Sequence, residues 1–132
     1  MNLRYLLSAV FGTLLIVYLS SIPHVIPWMS GFPGEEIILN LGHIPAYGLV
    51  TFLWISSFPA WENGKRYSMV IGFVLVGLVL FGISDEIHQS FVPGRTPSMM
   101  DLGLDTIGIL SGLGAFHAVK RMSVALQCHD GE

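Results

Sequence analysis

Ser84-Asp85-Glu86-Ile87-His88-Gln89-Ser90-Phe91-Val92-Pro93-Gly94-Arg95-Thr96-Pro97-Ser98-Met99-Met100-Asp101-Leu102-Gly103-Leu104-Asp105 is the stretch in which an oily sequence becomes charged. It holds four carboxylates, one histidine, one glutamine and one arginine, in a chain of 132 residues that is 52% hydrophobic and 11% charged. Soluble domains carry about 25% charged residues. A soluble chain of this length could not hide so much apolar surface, so the composition points to a polytopic membrane protein. The fold class that follows is all-α: a four-helix transmembrane bundle in one domain, residues 1–132, with a polar cluster at one end of the helices.

Working outward, apolar runs on both sides of this stretch have the length that a bilayer core of about 30 Å requires. The first spans roughly 5–22, after Arg4 and before Pro23. Tyr18-Leu19-Ser20-Ser21-Ile22 is a poor small-residue cleavage site, which favours a retained helix over a signal peptide. His24 to Gly42 reads as a loop, punctuated by Pro27, Gly31, Pro33 and Gly34. Trp28 and Phe32 there suit the headgroup region, and Glu35-Glu36 reads as a solvated face. The second span is 40–58, with Pro45 near its start, and the third is 67–84. The fourth, 97–119, closes on Lys120-Arg121. There is no internal repeat.

Basic residues set orientation, because Lys and Arg stay in the cytoplasm. With four spans, Arg4, Lys65, Arg66, Lys120 and Arg121 fall on one side and Arg95 on the other, so both termini are expected to be cytoplasmic. His24, Glu35, Glu36, His43, Asp85, Glu86, His88, Gln89, Arg95, Asp101 and Asp105 then gather at the outer face. The net charge of −3 offers no basic patch, so nucleic acid is not an expected partner. The single cysteine, Cys128, excludes an internal disulfide and a cysteine zinc site.

Helical spacing sharpens the cluster. Asp85, His88 and Gln89 stand at i, i+3 and i+4, with Glu86 on the edge of the same arc. Ser84, Phe81 and Gly77 continue that face, and Gly77 would let another helix come close. Asp101, Asp105, Gly108, Gly112 and Ala115 form a second stripe, in which Gly108 and Gly112 make a Gly-x-x-x-Gly contact. Asp105 shares that stripe and should point into the bundle, since a carboxylate facing lipid costs about 2.5–3.5 kcal/mol. His43 and Tyr47, four apart, share a face. Val92-Pro93-Gly94-Arg95 fits a type II turn. Thr96-Pro97 fits an N-cap with Pro at the first helical position, and Ser98-x-x-Asp101 offers an alternative capping box. Either way a helix N-terminus beside Arg95 makes a candidate anion site, with a lipid phosphate the obvious occupant.

These features resemble the VanZ-like family of small bacterial membrane proteins. The resemblance runs over roughly Leu39 to Gly112. It rests on Asp85-Glu86-x-His88-Gln89, Phe91-x-Pro93-Gly94-Arg95, Ser98-x-x-Asp101, Gly108 and Gly112, with His43-x-x-x-Tyr47 upstream. Many members carry Asp-Lys just before that upstream histidine, where this chain has Leu39-Asn40. The resemblance implies a multi-pass protein of the bacterial cytoplasmic membrane. It also implies a link to the cell envelope and antibiotic resistance, because the family's namesake is associated with low-level resistance to the glycopeptide teicoplanin.

The candidate ligand-binding residues are His43, Tyr47, Asp85, Glu86, His88, Gln89, Arg95, Asp101 and Asp105. Asp85, Glu86, His88 and Asp105 are the candidates for acid–base catalysis. Against this stands a plainer reading, in which the charges solvate helix ends and pair with Arg95. No linear metal motif is present, so no cofactor is expected, although the oxygen and nitrogen donors of the cluster suit a divalent ion. His117, Trp54 and Trp61 read as packing or interfacial residues. Ser84, Ser90 and Ser98 lack the Gly-x-Ser-x-Gly elbow of a serine hydrolase. Three functions stay open: binding of a membrane lipid or lipid-linked envelope precursor at the outer leaflet, an enzyme acting on such a lipid, and a structural partner of other membrane proteins.

Overall fold

The computed structural model describes residues 1–23, 40–58, 65–95 and 97–129. His24, Trp28, Phe32, Glu35, Glu36, Trp61, Glu62 and the Thr96 cap lie outside these residues. Among the described residues the principal helices are four: α1 Leu3–Ser20, α2 His43–Ser57, α3 Lys65–Gln89 and α4 Met99–His129. There is no strand among the described residues. Helices α1, α3 and α4 are long and apolar enough to cross a membrane. Helix α2, at 15 residues about 22 Å long, is shorter, and the other three pack around it.

Helices α3 and α4 extend beyond the expected apolar spans. Helix α3 continues past the apolar span to Gln89, as the i, i+3, i+4 spacing of Asp85, His88 and Gln89 requires, and Asp85, Glu86 and Gln89 turn into the bundle and find partners there. Helix α4 begins at Met99, two residues after the expected start, and continues to His129 rather than 119. Its start is set by Ser98, whose Oγ accepts the Met100 N–H at 3.1 Å. Past 119, the sequence has no Gly or Pro to break the helix before Gly131, and Lys120 holds its ammonium 4.5 Å over the Tyr67 ring.

The packing is inverted relative to a soluble domain. The buried residues include Ser20, Thr51, Ser57, Asp85, Glu86, Gln89, Asp101 and Asp105, while Phe73 is 72% exposed, Leu80 60% and Leu110 59%. Such a surface is stable in lipid, where helices gain nothing by hiding apolar side chains from one another. A small apolar core of Tyr47, Val50, Leu78 and Ile109 lies between the polar end and the opposite end.

Helices α2 and α4 meet along the tightest seam. A Cβ at Gly108 would lie 2.6 Å from the Ile44 carbonyl oxygen, and one at Gly112 would collide with the carbonyl oxygen of Gly48. The expected Gly-x-x-x-Gly contact is therefore real, and α2 with Gly48 is its partner. Ala115, expected on the same stripe, is exposed. Gly77 makes no close helix contact: a Cβ there would meet nothing within 4 Å. The helices alternate in direction. The Asn2 N–H donates to the Ser57 carbonyl at 2.7 Å, tying the start of α1 to the end of α2. At the other end the last turns of α1 and α3 meet the first turns of α2 and α4.

Candidate functional site

Four chain segments build the polar end. The Val92–Arg95 turn reverses the chain between α3 and α4: Gly94 has φ 79° and the Arg95 N–H donates to the Val92 carbonyl at 3.1 Å. A left-handed residue at this position is what a type II turn demands, and only glycine adopts it without strain. The turn sets the last turn of α3 beside the first turn of α4.

Glu86 exploits that proximity. Its Oε2 accepts the Ser98 N–H at 2.8 Å. The bond that Asp101 would return in a capping box is thus supplied from α3, and the anion at the N-terminus of α4 is the chain's own carboxylate. Glu86 Oε1 and Asp101 Oδ1 are buried and accept no hydrogen bond from the described residues.

Deeper in the bundle, His43 Nδ1 and Asp105 Oδ1 are 2.8 Å apart, with Asp105 1% exposed. The bond spans the α2–α4 seam, one turn from the Gly108 contact. Tyr47 stacks beside His43, with ring centroids 6.3 Å apart and planes 7° from parallel. Its hydroxyl is also buried without a partner among the described residues. Gly82 of α3 makes the room: a Cβ there would sit 3.1 Å from Asp105 Oδ2 and 3.6 Å from Tyr47.

A third layer faces α1. Asp85 accepts the Ser20 hydroxyl at 2.6 Å and the Gln89 side-chain amide at 2.9 Å, one bond on each oxygen. His88 lies at the exposed rim, its Nε2 2.9 Å from Ser21 Oγ. Asp85 and His88, expected on one face, therefore go to different serines. Sequence reasoning missed Ser20 and Ser21 as site residues. The available signal was their place at the end of the first span, on the same membrane face as the acids.

Arg95 does something else again. Its Nε donates to the Ile22 carbonyl at 3.2 Å and its Nη2 to the Leu19 carbonyl at 3.0 Å. Leu19 lies in the last turn of α1, where its carbonyl also accepts the Ile22 N–H at 3.3 Å, and Ile22 follows just past the helix end. The guanidinium spends two of its five N–H groups on α1, and the Ser98 and Met100 N–H groups at the start of α4 are taken by Glu86 and Ser98.

His43, Tyr47, Asp85, Gln89, Ser20 and Arg95 share the lining of one cavity of about 290 Å³ between α1, α2 and α3. This is just below the usual range of ligand pockets, roughly 300–1,000 Å³. Asp85 is the one carboxylate in that lining, and the Arg95 guanidinium shares the wall with it. Such a lining offers hydrogen-bond acceptors and donors side by side. Among the described residues no group of three or more His, Cys, Asp or Glu is arranged to hold a metal ion.

A family model described as VanZ/LLP1 matches residues 5–120 of the chain. No curated protein and no solved structure matches it.

Proposed function

We propose, for a chain that belongs to the VanZ/LLP1 family, that the polar end of the bundle binds the headgroup of a membrane amphiphile through that headgroup's hydrogen-bond donors. The observation that carries this is that three of the four buried polar atoms without partners among the described residues lie at this end, Tyr47 Oη, Glu86 Oε1 and Asp101 Oδ1, the fourth being Tyr67 Oη at the other end. Leaving one such group unsatisfied costs about 1–3 kcal/mol, more when it is charged. Two of the three are carboxylate oxygens, which only accept while ionised. An ammonium or a set of sugar hydroxyls satisfies them; a bare phosphate does not.

The basic residues Arg4, Lys65, Arg66, Lys120 and Arg121 belong to the opposite end of the bundle. The positive-inside rule then puts the site at the outer leaflet of the bacterial cytoplasmic membrane, with both termini cytoplasmic. The ligand class is a cell-envelope lipid or a lipid-linked envelope precursor. Holding such a lipid would alter what a glycopeptide such as teicoplanin meets at the surface.

Lipids that co-purify with the protein, identified by mass spectrometry, test the reading. Phosphatidylethanolamine and phosphatidylcholine make the sharpest pair, since they share a phosphate and differ in N–H donors. Wild-type protein should retain a donor-bearing lipid, and Glu86→Gln or Asp101→Asn should weaken retention about tenfold or more, the equivalent of one charge-assisted bond. Preferred retention of phosphatidic acid, or equal retention by all three proteins, would refute the proposal.

One observation favours a second reading, acid–base catalysis on the same lipid. The His43 imidazole lines the cavity and is held on its far side by a buried carboxylate, as a general base is held. New lipid species formed by wild-type protein and absent with His43→Gln would establish it. Lipid extracts left unchanged by purified protein, with and without divalent metal, would remove it.

A further inference from the structure

We infer that the crevice between α1 and α3 holds one hydrocarbon chain of the same amphiphile, so that the bundle grips tail as well as headgroup. This rests on the headgroup reading above. A second cavity of about 430 Å³ is lined by Thr13, Trp54, Phe58, Val70, Phe73, Val74, Gly77, Leu78 and Phe81, and its walls are almost wholly apolar. It belongs to the same three helices as the polar cavity. Thr13 is one turn from Ile16, and Phe81 one turn from Asp85, both of which line the polar cavity. The two cavities follow one another down one crevice, floored by α2, because α1 and α3 scarcely touch.

Three features fit a chain and not a helix. Gly77 opens the groove, and a Cβ there would meet nothing within 4 Å among the described residues. From Asp85 to Phe73 the groove descends about 18 Å along α3, close to the depth of one leaflet, roughly half of a 30 Å core. Its upper end opens on His43, Asp85, Gln89 and Arg95 and its lower end on aromatic and aliphatic side chains, the polarity order of a lipid lying in its own leaflet. Trp54 sits at the lower end, fixed by its Nε1–H donating to Thr13 Oγ1 at 3.1 Å.

Trp54 makes the inference testable. The protein, with Trp28→Phe and Trp61→Phe so that Trp54 reports alone, is placed in phosphatidylcholine nanodiscs. These contain a minor fraction of lipid with brominated chains, which quench tryptophan on contact. Brominated phosphatidylethanolamine or glucosyl diacylglycerol should quench Trp54 well beyond brominated phosphatidylcholine at the same fraction. Gly77→Leu, which plugs the groove, should abolish that excess. Gly72→Leu, also free of neighbours within 4 Å, should keep it. In the wild-type chain, a diazirine on the tail of the same lipid should crosslink to Val74 or Leu78.

Short-chain forms of both lipids, measured by native mass spectrometry, separate the two readings. If they bind but long-chain forms give neither excess quenching nor crosslinks in the groove, the tail inference is overturned and the headgroup reading stands. If no short-chain form binds, the headgroup reading falls and takes this inference with it. Excess quenching that persists in Gly77→Leu also overturns it.

Discussion

Replacing Gly108 by alanine tests the seam on which the site depends. The added methyl would lie 2.6 Å from the Ile44 carbonyl oxygen and 3.0 Å from Tyr47 Cβ. Carbon–oxygen contacts are comfortable at about 3.3–3.6 Å, so the two backbones must part by roughly 0.8 Å. Overpacking of this kind costs about 1–3 kcal/mol, and alanine returns about 0.5–1 kcal/mol through its better helix propensity. The net expectation is a loss of about 1–2 kcal/mol. Gly114→Ala is the control, because a Cβ there meets nothing within 4 Å; it should gain about 0.5–1 kcal/mol. Reversible unfolding in mixed dodecyl maltoside and dodecyl sulfate micelles, followed by helical circular dichroism, measures both. The same displacement lengthens the 2.8 Å bond between His43 and Asp105 beyond the range of a good hydrogen bond, about 3.2 Å. Gly108→Ala should therefore also lose lipid retention. A Gly108→Ala protein as stable as Gly114→Ala would show that the seam is not close-packed and would refute the reasoning.

Three further outcomes are expected. Ser98→Ala removes the cap of α4 and should cost about 1 kcal/mol in the same unfolding assay; no change would mean that Glu86 alone satisfies the first turn. Arg95→Ala should cost about 1 kcal/mol for two half-exposed bonds, and Arg95→Lys should not restore it, since a single ammonium cannot reach two carbonyls as a planar fork does. With Cys128→Ser as background, a cysteine replacing the exposed Phe91 should react with an impermeant maleimide from outside intact cells. One replacing Met122 should react only after lysis. The reverse pattern would invert the orientation.

What could be read from the sequence was local. The Val92–Arg95 turn follows from Pro93 and Gly94 alone, and the inward face of Asp105 follows from its spacing to Gly108 and Gly112. His43 and Tyr47 were placed together by a spacing of one helical turn. What could not be read depended on which helix lies next to which. Glu86 shares an arc with Asp85 on α3, yet a small rotation sends Glu86 to α4 and Asp85 to α1. The turn that carries Arg95 lies beside the last turn of α1, so its guanidinium reaches backbone carbonyls that no motif announces. Gly77 looked like a contact because glycine permits one, but permission is not a partner. Helices α3 and α4 outrun the apolar spans for another reason. Hydropathy marks where oil stops, whereas a helix stops where its backbone bonds are broken or capped.

The inverted polarity of the bundle has a consequence for how the chain enters the membrane. Asp85 and Glu86 sit in the last two turns of α3, and Asp101 and Asp105 in the first two of α4. Each helix inserted by itself can keep its acids at headgroup depth, in contact with water. Only when the four helices close do Asp105 and its neighbours lose that hydration, at a moment when His43, Ser20 and the Ser98 N–H have come within reach. Desolvation is thus postponed until the groups that compensate it arrive, and an assembly factor that kept α2 away from α4 would leave a wet, loosely joined intermediate.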